Sequence, residues 1–115
     1  MTVETDYLYH AEVINVVDGD TVDVRIDLGF EMYIIERIRL MDVDTAEIYG
    51  VDHESEEYKQ GIAQKEFVQD WVGSGDVILL SDEYHRGKYG RVIGDLYNPD
   101  LGSWLTSELK GEYDL

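Results

Sequence analysis

The chain has 115 residues, with 26 acidic side chains against 9 basic ones and a formal net charge of −17. Such a length holds one core and not two. The lack of cysteine excludes disulfides and thiolate metal sites, so any metal must be held by oxygen or histidine. The charge also argues against a general nucleic-acid-coating protein, which would show basic patches.

The opening residues, MTVETDYLYH, contain no basic segment followed by an apolar run, as a secretory signal would require. No apolar stretch approaches the ~20 residues of a membrane helix. The expectation is a single domain over residues 1–115, a monomer kept in the cytoplasm with no membrane partner. So acidic a surface suits a salty interior or a viral chain.

In chain order, residues 7–17 read as a strand, which Asp18, Gly19 and Asp20 then turn. Over 21–28, Val22, Val24, Ile26 and Leu28 alternate with Thr21, Asp23, Arg25 and Asp27, the period-two pattern of a half-buried strand. Gly29 permits a tight turn, and a third strand follows over 31–41. There Ile34, Ile38 and Leu40 share one face, and Arg37 and Arg39 the other. A polar stretch, VDHESEEYKQ, leads into a helix over 62–72 with Ala63, Phe67, Val68 and Trp71 as its apolar stripe. Gly73-Ser74-Gly75 ends it. Two short strands are predicted at 76–81 and 91–97, and a second helix over 102–110 carries Trp104, Leu105 and Leu109. The order β-β-β-α-β-β-α is that of a mainly β, α+β fold, a five-stranded OB-type Greek-key barrel.

Three places concentrate unusual polar residues. Asp18-Gly19-Asp20-Thr21 joins the first two strands. Arg39 lies on the third strand, with Asp44, Thr45 and Glu47 after its end. GKYGR, with Lys88, Tyr89 and Arg91, opens the last strand. Taken singly, Asp-Gly is a common hairpin turn, Asp-Thr a common cap, and a basic turn usually a solvated loop. His10, His53 and His85 show no metal-ligand spacing.

Taken together, VDGDTV, RLMDVDTAE and GKYGRV resemble the motifs of the staphylococcal nuclease (thermonuclease) family, in that family's order, over residues 16–97. The resemblance implies a calcium-dependent nuclease, a phosphodiesterase that hydrolyses DNA or RNA with little sequence preference. It implies catalytic roles for Arg39, Glu47 and Arg91. Asp20, Asp44 and the Thr45 carbonyl would be the Ca²⁺ ligands, and Lys88 and Tyr89 would contact the nucleotide's terminal phosphate. Physical reasons support these residue types: Ca²⁺ takes oxygen ligands, and an arginine fork meets two phosphate oxygens as lysine cannot. A glutamate beside bound water can take its proton.

The fit has gaps. Ala46 stands where the family usually has proline, so the loop carrying Glu47 is expected to be looser. Gly87 replaces a common acidic residue, and the family's third helix has no counterpart. The alternatives are a catalytically idle nuclease-like module that binds nucleic acid or protein, and an acidic mimic of DNA.

Overall fold

A computed structural model of the protein describes residues 7–86 and 92–115. Six strands and two helices follow in the order β1 (Tyr7–Asp18), β2 (Thr21–Asp27), β3 (Tyr33–Leu40), α1 (Glu56–Val72), β4 (Asp76–Arg86), β5 (Val92–Asn98), β6 (Ser103–Trp104) and α2 (Leu105–Tyr113). The sheet order is β3-β2-β1-β4-β5-β6, with antiparallel neighbours throughout. A parallel pairing of β3 with β5, Ile38 to Val92 through Leu40 to Gly94, closes the first five strands into a mixed barrel. The mainly β fold with helices is therefore as expected, and the closed barrel is compatible with an OB-type architecture.

Alternation fills the barrel. Val22, Val24, Ile38, Leu40, Leu79 and Leu96 point inward and are buried, and Val68, Leu105 and Leu109 from the helices close on them. Leu28 and Ile34, read as part of the same apolar face, are 39% and 40% exposed. They stand on the outer part of the β2–β3 hairpin, where β3 pairs with β2 but β5 no longer follows, among the described residues.

Element ends differ from the sequence reading where local capping decides. Helix α1 starts at Glu56, not 62, because the Ser55 hydroxyl accepts the Tyr58 N–H at 3.1 Å. Gly73 ends it in a positive-φ conformation, as its glycine implied. Its buried stripe is Gly61, Gln64, Val68, Trp71 and Val72, whereas Phe67 is only partly buried and Ala63, expected in the apolar stripe, is exposed. Strand β4 runs on to Arg86 rather than ending at 81, and the two-residue β6 was not foreseen.

Helix α2 is capped from outside itself. Its N-cap residue Trp104 offers no side-chain bond. Instead the buried Asp95 on β5 accepts the Thr106 N–H at 3.2 Å and the Thr106 hydroxyl at 2.6 Å, besides the Leu96 N–H at 2.8 Å. Burial raises the Asp95 carboxyl above its ordinary range, and these bonds only partly offset it. Because the folded value is the higher one, Asp95 favours folding fully below the ordinary ~3.9 and loses that contribution as pH rises through the raised value. Asp95→Asn keeps an acceptor and removes the ionisation. Its stability relative to wild type, read from urea midpoints, is expected to improve from pH 4 to pH 7. A difference constant with pH would contradict this.

Candidate functional site

The site is built where the β1–β2 turn, the end of β3, the loop after it and α1 meet. In the turn, the Asp20 N–H donates to Asp18 Oδ1 at 3.1 Å, and the Asp20 carbonyl accepts the Leu40 N–H at 2.8 Å, fixing the turn to β3. Gly19 is needed for a close approach. A Cβ there would lie 2.7 Å from Thr45 Cγ2 and 3.0 Å from Gln64 Cβ.

Asp20 is buried and every bond it accepts is specific. Oδ1 accepts the Thr21 hydroxyl at 2.9 Å and Oδ2 the Thr45 N–H at 3.0 Å, with Arg39 Nη2 at 3.4 Å from Oδ2. The same Arg39 Nη2 donates to Asp44 Oδ1. Arg39 Nη1 is anchored on the backbone carbonyls of Leu40 at 2.7 Å and Val43 at 2.6 Å. Two carboxylates 24 positions apart (Asp20 and Asp44) thus meet on one guanidinium. Burial would raise the Asp20 carboxyl, but its bond with Asp18, the Thr45 N–H and the Arg39 charge outweigh that and hold it below the ordinary range. Asp18 bears the consequence. Burial, then the shared hydrogen bond and charge of Asp20, push its carboxyl up to about 6.

The structure brings Asp20, Arg39, Asp44 and Thr45 together. Glu47 lies three residues beyond Asp44 on the same loop, exposed, with no side-chain bond among the described residues. Lys88, Tyr89 and Arg91 lie outside the described residues. Arg37, read on the same face of the third strand as Arg39, is paired with Asp23, its Nε 2.8 Å from Oδ1.

The loop from 41 to 49 is fastened at several points. The Met41 N–H donates to the Gly94 carbonyl at 2.9 Å, and the Tyr49 hydroxyl donates to the Val17 carbonyl at 3.0 Å. Ile48 and Val43 are buried. The Ala46 N–H donates to Gln64 Oε1 on α1 at 2.7 Å. The looseness expected from an alanine at 46 is therefore countered by a bond that a proline could not make. The sequence reading missed Gln64 and Gly61. Their only signal was spacing, since 61, 64 and 68 recur on one helix face with the buried Val68.

A hard divalent cation fits the chemistry of this donor set. Asp20 and Asp44 face a common cation already, and every candidate donor, Asp20, Asp44 and the Thr45 carbonyl, is oxygen. Among the described residues no group of three or more His, Asp or Glu side chains converges, so water or substrate oxygens would complete the coordination.

No family model matches the chain. Among curated proteins, an uncharacterized protein of Methanocaldococcus jannaschii is 30% identical to it, over 83% of this chain and 51% of the relative. The chain therefore spans about half the length of that relative.

Proposed function

We propose that this protein is a Ca²⁺-dependent nuclease, cleaving phosphodiester bonds of DNA or RNA with little sequence preference on an OB-type Greek-key barrel. The observation that carries this reading is the meeting of Asp20 and Asp44 on Arg39 at the end of β3. The parallel closure of β3 on β5 supports the barrel type, since it joins the two outer members of the run β3-β2-β1-β4-β5. The likeness to the M. jannaschii protein adds no activity to the reading.

When bound, Ca²⁺ supplies Lewis-acid polarisation of a phosphate oxygen and a template for the substrate. The chain's own groups do the rest. Asp20, ionised at neutral pH, and Asp44 hold the ion with the Thr45 carbonyl. With Asp20 and Asp44 engaged by the ion, the Nε–Nη2 edge of Arg39 would be freed as the fork that meets two oxygens of the phosphate as negative charge builds on them. Its seat on the Leu40 and Val43 carbonyls fixes that edge in advance. Glu47, on the same loop as Asp44, takes the proton of the attacking water. Arg91 would add a further donor to the phosphate, and Lys88 and Tyr89 would contact its terminal oxygens.

The test is cleavage of labelled single- and double-stranded DNA and RNA in Ca²⁺, in Mg²⁺ and in chelator. Cutting is expected in Ca²⁺ alone, and Glu47→Gln should depress it about 10²–10⁴-fold. Binding without cutting would assign the chain instead to an idle nucleic-acid-binding module. The charge of −17 adds a salt signature. Screening shortens repulsion to about 8 Å at physiological ionic strength and about 3 Å at 1 M. Activity is expected to rise from very low salt to moderate salt, and a monotonic rise towards zero salt would contradict local binding at the site.

A further inference from the structure

We infer that Gln64 on α1 is a positioning residue that sets the loop carrying Asp44, Thr45 and Glu47 through the N–H of Ala46. The inference deepens the nuclease reading and rests on it for its consequence in catalysis. Gln64 is fully buried, and its Oε1 accepts the Ala46 N–H at 2.7 Å. Ala46 lies between Thr45, whose own N–H holds Asp20, and Glu47. One hydrogen bond therefore fixes the peptide between the buried end of the site and its exposed acid.

The other end of this amide points to function rather than stability. Gln64 Nε2 is buried with no hydrogen-bond partner among the described residues. A buried donor left unpaired is unfavourable, and an apolar side chain of similar volume would fill the same space without that cost. What an apolar residue cannot supply is the acceptor for Ala46. The helix that carries Gln64 is packed closely against the turn and the loop. The Gln64 Cβ lies 3.0 Å from where a Cβ at Gly19 would stand, and one turn earlier Gly61 lets α1 sit directly on the loop, where a Cβ would be 2.8 Å from the Ala46 carbonyl oxygen.

A proline at 46 offers a distinguishing variant, because it removes the N–H and fixes φ by its ring. With Gln64 present, the ring carbon replacing the hydrogen would press on Oε1, so Ala46→Pro alone should lower activity. With Gln64→Ala the space is vacated, and the ring can hold the turn that the hydrogen bond held. The experiment measures amide hydrogen exchange at Ala46 by NMR for wild type and Gln64→Ala, and cleavage of DNA in Ca²⁺ for these two, Ala46→Pro and the double variant. In Gln64→Ala the Ala46 amide should exchange about tenfold faster or more. Its kcat should fall on the order of ten- to a hundredfold, with KM changed by no more than about twofold. The double variant should cut faster than either single variant. Where Gln64→Ala does not fold, Gln64→Met keeps the volume, removes the acceptor, and carries the exchange comparison with an unfolding midpoint within about 5 °C of wild type.

Equal exchange at Ala46 with and without Gln64, or a double variant no better than the poorer single one, overturns the inference. A wild type that cuts no nucleic acid overturns the nuclease reading instead, and the exchange rates still decide what Gln64 does to the loop.

Discussion

Arg39→Ala is expected to lower the rate of phosphodiester cleavage on the order of 10²–10³-fold while leaving Ca²⁺ binding intact or tighter. The two effects have opposite directions because one guanidinium serves two masters. Its Nη2 satisfies Asp20 and Asp44, the same carboxylates that a cation would need, so removing it removes a competitor for the ion. In the proposed nuclease, once the ion takes those carboxylates, its fork would be the donor for charge on the phosphate, typically worth ~3–4 kcal/mol in the transition state. Arg39→Lys should recover little, since an ammonium offers neither the planar fork nor the double anchor on the Leu40 and Val43 carbonyls. Calorimetry with Ca²⁺, set beside single-turnover cleavage, reads both halves. A lysine variant with near wild-type rate, or an alanine variant that no longer binds Ca²⁺, would remove Arg39 from its assigned place.

Gly61→Ala and Gly111→Ala are expected to move stability in opposite directions, although both replace glycine by alanine inside a helix. Alanine is intrinsically favoured in a helix by up to about 1 kcal/mol over glycine. At Gly111 in α2 nothing lies within 4 Å of the added methyl, so that preference should appear as a gain. At Gly61 the methyl would overlap Ile48 Cγ2 and stand 2.8 Å from the Ala46 carbonyl and 3.2 Å from that of Glu47. Two of these three neighbours are backbone, which yields only if the loop or the helix moves. Overpacking of this kind costs about 1–3 kcal/mol, or a fall of very roughly 4–20 °C in a domain of this size. Because the displaced loop carries Asp44, Thr45 and Glu47, cleavage should fall as well, at temperatures where the variant is still folded. Thermal unfolding of the two variants gives the sign directly. A stabilised Gly61→Ala would mean that α1 does not rest on the site loop.

Most of the barrel was legible in the sequence because alternation is a local signal. Val22, Val24 and Ile26 announce a half-buried strand whatever lies opposite, and Gly73 announces a helix end through its own backbone preference. The start of α1 was less legible. Ser55 caps it through a hydroxyl, and the first turn behind that cap is too polar to show an apolar stripe. The site followed the same division. Asp20, Arg39, Asp44, Thr45 and Glu47 could be picked out because their types, order and spacing resemble a known set.

What the sequence determined by itself is the strand alternation, the turn and cap residues, and the oxygen-and-guanidinium composition of the candidate site. Tertiary structure alone decided that Arg39 spans Asp20 and Asp44, that Arg37 is taken by Asp23, that Asp95 on β5 caps α2, and that Gln64 reaches Ala46. The reason is physical. Side-chain periodicity depends on neighbours two to four positions away, whereas a hydrogen bond between residues 18 apart (Ala46 and Gln64) exists only once the barrel has closed and α1 has settled against it.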